Sequence, residues 1–235
     1  MSLAARVRDA RPLGGPRFLD RRFDSAGTPL PCAGNTIIRH ISNPSDLDRL
    51  CDIQYKLKAG PAGKCFGWLP RASLHCTIFN GLLYGERMQE AWPTTLRNDV
   101  TRAEADSHIE AAFLKTTKLG DPVEMTFGGL SGIESDALGV SLIPGAADNA
   151  ALRRYRDDLA EASGLSHRPG HDSYIFHITL GYLISWPNQA DAEDFDVASQ
   201  AISNDFLSNT LNLNVHEPEF CRFQTIAQFD VETVG

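Results

Sequence analysis

The chain contains no apolar run near the roughly 20 residues that a membrane-spanning helix requires, so no membrane partner is expected. Its N-terminus lacks the apolar stretch of a secretory signal. Arg6, Arg8, Arg11, Arg17, Arg21 and Arg22 give it a faint transit-peptide look, which Asp9 and Asp20 oppose. Residues 1–34, rich in Arg, Gly and Pro and without sustained periodicity, therefore read as a mobile arm or extended loops. Cysteines are few: five, an odd number without framework spacing, which argues for reduced thiols in the cytoplasm. No Cys, His or acidic set has zinc-ligand spacing, and Pro169 and Gly170 keep His167 and His171 off a common helix face. No metal and no other cofactor is expected. Positive charge is also short, 22 Lys and Arg against 30 Asp and Glu, for a net charge of −8. That argues against a broad surface for long nucleic acid, with no DNA expected, while leaving room for a small positive pocket for one phosphate.

What is present suits a soluble globular protein: 235 residues, 42% hydrophobic and 22% charged, enough for one large domain or two small lobes. One stretch organises the rest. Phe176-His177-Ile178-Thr179-Leu180, read as a strand, puts His177 and Thr179 on one face above an apolar floor. A second copy, Leu74-His75-Cys76-Thr77-Ile78, lies 102 residues earlier. With 7 His and 13 Thr in the chain, composition alone yields His-x-Thr about 0.4 times, and roughly 0.07 times once both remaining positions must be apolar. Two copies point to more than composition.

The surrounding elements repeat as well. Strand signals at 36–41, 65–69 and 73–79 flank a helix that starts with Asn43 as cap and Pro44 at its first position and ends at Gly60-Pro61. A helix or lid segment is expected over 82–92, a helix opening on the Thr101/Glu104 capping box, a break at 120–122 and a strand at 123–127. The order then recurs: a strand at 138–143, a helix capped by Asp148 or Asn149, a strand at 174–184, a long helix capped by Asn188, and strands at 213–220 and 223–231. The expected fold class is α+β, with duplicated two-lobed β-α-β units whose antiparallel sheets flank a central cleft. Residues 35–235 would form a single bilobal domain, with lobes of about 35–130 and 131–235 or with strands exchanged between them.

Two facing imidazoles suit a reaction in which one proton is removed and another delivered, with the roles exchanged on turnover. A phosphodiester fits: one oxygen attacks, another leaves, and the Thr hydroxyls donate to the non-bridging oxygens. The bland alternatives are structural histidines bonded to backbone carbonyls, and threonines present for β-propensity. A single copy favours the bland reading; the pair favours His75 and His177 as catalytic, with Thr77 and Thr179 holding phosphate. Arg71 and Arg168 could reach a phosphate, though each such residue is more often a surface charge. Phe79 shares the parity of His75 and could stack on a base, as could Trp68 or Tyr55, with core packing the alternative for all three. Ser173 and Ile175 share the face of His177, and Tyr174 has the opposite parity. Cys76 reads as core.

Paired His–hydrophobic–Thr–hydrophobic motifs, one in each half of a duplicated α+β unit, resemble those of the 2H phosphoesterase superfamily. That group includes RNA 2′,3′-cyclic phosphodiesterases, the bacterial RNA 2′–5′ ligase group and myelin-type cyclic nucleotide phosphodiesterases. The resemblance spans roughly residues 36–231, leaves residues 1–34 and 81–100 unexplained, and implies His75 and His177 as the acid/base pair with Thr77 and Thr179 on the phosphate. The resemblance does not choose a substrate; the leading expectation is a metal-independent phosphodiesterase acting on a cyclic phosphate or short nucleotide phosphodiester, monomeric and cytoplasmic, with the acidic balance tilting its partner towards a small nucleotide or an RNA terminal phosphate. RNA-end processing, 2′–5′ ligase-type activity and a non-catalytic nucleotide-binding module are the competing expectations.

Overall fold

The computed structural model describes residues 1–41, 43–119, 123–208, 212–215 and 217–231. Among the described residues, nine strands form one antiparallel sheet. In chain order they are β1 (Gly34–His40), β2 (Phe66–Trp68), β3 (His75–Leu83), β4 (Val123–Ser131), β5 (Ala137–Pro144), β6 (His177–Leu183), β7 (Asn212–Val215), β8 (Glu219–Thr225) and β9 (Gln228–Val231). They lie in the order β7-β4-β5-β6-β3-β1-β8-β9, with β2 added to β6. The two motif strands, β3 and β6, are therefore neighbours at the centre. The chain trades strands between the two sides: β4 leaves the early strands to pair with β5 and β7, and β8 returns to pair with β1.

Among the described residues, five α-helices accompany the sheet: α1 (Leu3–Ala10), α2 (Pro44–Lys58), α3 (Arg102–Lys115), α4 (Ala146–Ser163) and α5 (Gln189–Ser208). Their starts follow the cap chemistry. Asn43 accepts from the Ser45 amide at 2.9 Å, Thr101 and Glu104 form the reciprocal capping box, and Asn188 accepts from the Asp191 amide at 2.8 Å. Helix α4 begins at Ala146, earlier than Asp148 or Asn149 would place it, and stops where Gly164 takes a left-handed φ of +71°. Among the described residues, no helix is long and apolar enough to cross a membrane.

Three regions depart from the sequence reading. Residues 3–10 are a helix, not an arm: Leu3, Ala4, Val7 and Ala10 fall on one buried stripe, and the Leu3 and Ala4 amides donate to the Asp196 carboxylate of α5 at 2.7 and 2.9 Å. No helix forms over 82–92. Strand β3 runs on to Leu83, and the following turns are gathered by Arg87, which donates to the Tyr84 and Val100 carbonyls and lies 4.6 Å over the Trp92 ring. The last two expected strands become three, because β7 and β8 join opposite ends of the sheet. The break expected at 120–122, and His216, lie outside the described residues.

Candidate active site

Strands β3 and β6 meet at the pair Cys76–Ile178. Carrying that antiparallel register one residue either way sets His75 across from Thr179 and Thr77 across from His177. The two imidazoles thus occupy one diagonal of a four-residue square and the two hydroxyls the other. Beneath it, Cys76, Ile78, Ile178 and Leu180 are fully buried. Burial pushes the Cys76 thiol up to about 12, so it stays a neutral core residue.

Both motif strands distort at the same place. In β3, Thr77 pairs with Ile38 and Phe79 with Ile37, which leaves Ile78 as an extra residue. In β6, Thr179 pairs with Gly139 and Gly181 with Leu138, which leaves Leu180 extra. Each bulge falls on the fourth residue of its motif, and each shifts the alternation by one. Past the bulges, Asn80 and Tyr182 turn into the cleft, while Phe79 turns into the core at 3% exposure. The carbonyls freed from the ladder are taken by buried side chains. Arg156 of α4 donates to the Ile78 carbonyl, and Gln54 of α2 donates to the Leu180 carbonyl at 2.8 Å, beside the Leu69 amide at 3.0 Å, and to the Leu69 carbonyl at 2.9 Å.

Each imidazole is fixed by its own strand. His75 Nδ1 donates to the Ser73 carbonyl at 2.7 Å and His177 Nδ1 to that of Ile175 at 2.8 Å, both two residues earlier. In the neutral rings this leaves Nε2 free as an acceptor. Their surroundings differ. His75 is half-buried, 4.2 Å edge-on from Phe229. Burial, against the Ser73 bond and with added repulsion from His40 and His177, brings its pKa down to about 4. His177 lies beside Tyr174 at 5.9 Å, and the Tyr174 hydroxyl donates to the Thr77 carbonyl at 3.1 Å. Arg156 sits 3.9 Å over the Tyr174 ring, and Arg153 donates to the Tyr174 carbonyl at 2.6 Å. Burial pushes the Tyr182 hydroxyl up, opposed by a hydrogen bond with Thr179.

The square opens into a cleft of about 510 Å³. His75, Thr77, His177 and Thr179 all line it. Of the other expected contacts, Arg71, Trp68, Tyr55, Ser173 and Phe79 do not. Arg71, in a short turn before β3, is drawn to α2, donating to Asp48 at 2.6 Å and to the Pro44 carbonyl. Trp68 donates to the Gly63 carbonyl and lies beside Phe66. Tyr55 is 73% exposed on α2, and Ser173 lies on the surface. Phe79 is removed by its bulge. Tyr174 does line the cleft, because residues 171–176 are turns and extended chain in which strand parity has no meaning. Arg168 lines it too, with its guanidinium committed to the Asn80, Gly81 and Ala91 carbonyls; burial, then Arg156, brings its pKa down to about 10. Asn80, Tyr182, Phe229 and, from the N-terminal region, Arg17 and Phe18 complete the walls. Tyr182 could have been found at one offset of 102 residues from Asn80, but only with both bulges known. Among the described residues, no group of three His, Cys, Asp or Glu is arranged to hold a metal ion.

A family model described as "2H-phosphodiest: Domain of unknown function (DUF1868)" matches residues 22–132, a span that holds the first motif. The fold is similar to the crystal structure of the conserved protein of unknown function ATU0111 from Agrobacterium tumefaciens, with a TM-score of 0.86 at 23% identity over 98% of this chain and 97% of that one. Weaker likenesses reach Escherichia coli LigT complexed with ATP (TM-score 0.46, 11% identity, 88% of this chain and 96% of that one) and Kluyveromyces marxianus Usb1 with uridine monophosphate (TM-score 0.43, 10% identity, 84% and 95%). No curated protein sequence matches the chain. That family match covers just under half of the chain and the first of the two motifs, which stand side by side at the centre of one sheet.

Proposed function

We propose that the protein is a phosphodiesterase that opens a cyclic phosphate, of the 2′,3′-cyclic nucleotide type, or cleaves a short nucleotide phosphodiester by His/His acid–base catalysis. The observation that carries this reading is the square itself: two imidazoles with free Nε2 atoms on one diagonal and two hydroxyls on the other. In hydrolysis, His75 Nε2 takes a proton from water as the oxygen attacks phosphorus. The bond from phosphorus to the leaving ribose oxygen breaks, and His177 Nε2–H delivers the proton to that oxygen. Thr77 and Thr179 donate to the non-bridging oxygens, holding phosphorus in line and stabilising its charge. The unequal settings support this division. His75, against Phe229 and with its pKa near 4, is neutral at physiological pH and has a lone pair to accept the proton.

The cleft volume falls within the usual range of small-molecule sites and favours a nucleotide or an RNA end over a long RNA groove. The five free cysteines accord with a reducing, cytoplasmic setting, and we take the protein as a monomer. The test is hydrolysis of 2′,3′-cyclic nucleotides in EDTA. Turnover is expected; a requirement for added metal, or activity surviving His75→Ala together with His177→Ala, overturns the mechanism.

A further inference from the structure

The arm that follows α1 crosses the cleft, and it is held from both sides. Asp136, buried to 1% exposure and at the left-handed φ of +62°, accepts from Arg6 Nε and from the Arg17 amide, each at 2.8 Å. A non-glycine residue in that conformation is strained, so these bonds fix where residue 17 stands. Phe23 is fully buried against Gly67, where an added Cβ would lie 2.7 Å from its ring. On the other side, Arg22 reaches Glu86 at 2.9 Å. Phe18 then meets Tyr182 edge-on at 4.6 Å, and the Arg17 guanidinium lies 5.5 Å over Phe18.

The charges that line the cleft do not balance. Arg17, Arg22 and Arg168 stand against Glu86, in a chain whose net charge is −8. Glu86 is taken by Arg22, and Arg168 spends its donors on three carbonyls. Among the described residues, Arg17 meets no carboxylate, and its guanidinium donors are uncommitted. Those donors form a rigid fork matched to phosphate oxygens. The step from the reactive square is short: Thr179 bonds with Tyr182, Tyr182 touches Phe18, and Phe18 carries Arg17.

Resting on the phosphodiesterase reading above, we propose that this arm builds a second anion subsite, in which Arg17 binds a phosphate of the substrate other than the one that reacts. The substrate class is thereby narrowed to nucleotides that carry phosphate at two positions, such as a 5′-phosphorylated 2′,3′-cyclic nucleotide. Phe18 and Tyr182 form the wall between the two phosphates.

Binding of the ring-opened products tests this without requiring turnover. Calorimetry on the full chain compares adenosine 3′-monophosphate with adenosine 3′,5′-bisphosphate, and the matching 2′ pair. The wild type is expected to prefer a bisphosphate by roughly tenfold or more, as a charged hydrogen-bonded contact allows. Arg17→Ala should bring that preference close to one, and Arg17→Lys should keep part of it. Arg8→Ala, which removes a cation paired with Asp9 outside the cleft, should leave it unchanged. Thermal melts of each variant establish that it is folded. Equal binding of mono- and bisphosphate by the wild type, or a preference retained in Arg17→Ala, overturns the subsite. An Arg17-dependent preference in a protein that hydrolyses no cyclic phosphate upholds the subsite and removes the phosphodiesterase reading.

Discussion

In β3 the freed carbonyl of Ile78 receives a charged guanidinium, that of Arg156 on α4; in β6 the equivalent carbonyl of Leu180 receives a neutral carboxamide, that of Gln54 on α2. The helix from the early part of the chain thus secures the late motif, and the helix from the late part secures the early one. The same bulge, at the same motif position, has been given two unlike supports. The imidazoles differ in parallel. His75 rests on Phe229 and is driven towards its neutral form, whereas His177 sits beside a tyrosine held by two arginines. A near-symmetric backbone therefore carries an asymmetric site, as the proposed reaction, with one proton acceptor and one proton donor, requires.

The comparison breaks most severely at the imidazoles. His75→Ala and His177→Ala should each lower kcat/KM for a 2′,3′-cyclic nucleotide by roughly 10²–10⁴-fold. The double variant should lose little more than either single one if the two act as a unit; full additivity would assign them to independent roles. Next come the supports. Arg156→Met takes the charged donor from the Ile78 carbonyl, and Gln54→Leu takes the carboxamide from those of Leu69 and Leu180, the latter keeping the Leu69 amide. Because hydrogen bonds from a charged donor are the stronger, we expect losses of about 3 kcal/mol for Arg156→Met and about 2 kcal/mol for Gln54→Leu in denaturant unfolding. Equal losses would erase the distinction between the two supports.

The pH profile sharpens the contrast between the rings. His75 is protonated only below about pH 4, so the acid limb of kcat/KM for the free enzyme should lie near 4, with activity rising as pH rises through it. A limb near 6.5, the ordinary histidine value, would contradict the assignment of His75 as base. The same shift has a stability consequence. Between pH 6.5 and 4 the unfolded chain binds a proton at this residue that the folded protein does not, so stability falls as pH falls through that window. His75→Gln should flatten that part of a Tm-versus-pH curve. The smallest effect is expected at Phe79. Since its ring faces the core, Phe79→Leu should cost about 1 kcal/mol of stability and leave KM for the cyclic nucleotide unchanged. A raised KM would return the ring to the cleft.

The central pair of strands was readable because its signal is local: His, Thr and their apolar neighbours alternate with period two, and the helices beside them announce themselves through Asn43, Thr101 and Asn188. The bulges were not readable. Ile78 and Leu180 are ordinary strand residues, and what makes them extra is the register of β1 and β5, far away in sequence. Extending the alternation through them put Phe79 in the cleft and left Tyr182 out. Arg71 is close to His75 along the chain, yet the turn at Arg71–Ser73 hands it to Asp48. The arm failed for a related reason. Its many arginines hid a four-residue apolar stripe in α1, and nothing local ties Arg17 to Asp136 or Phe18 to Tyr182.

The return of β8 to the side of β1 bears on how the protein is made. On the ribosome, β1 and β3 emerge well before β8, the partner for the free edge of β1. At typical elongation rates, an apolar strand edge then waits roughly ten to forty seconds for its mate. During that interval the nascent chain carries an unpaired template for pairing with another copy of itself, the hazard that finished sheets avoid by covering their edges. Phe229 arrives with that same hairpin, so His75 acquires its wall only after β8 and β9 have emerged.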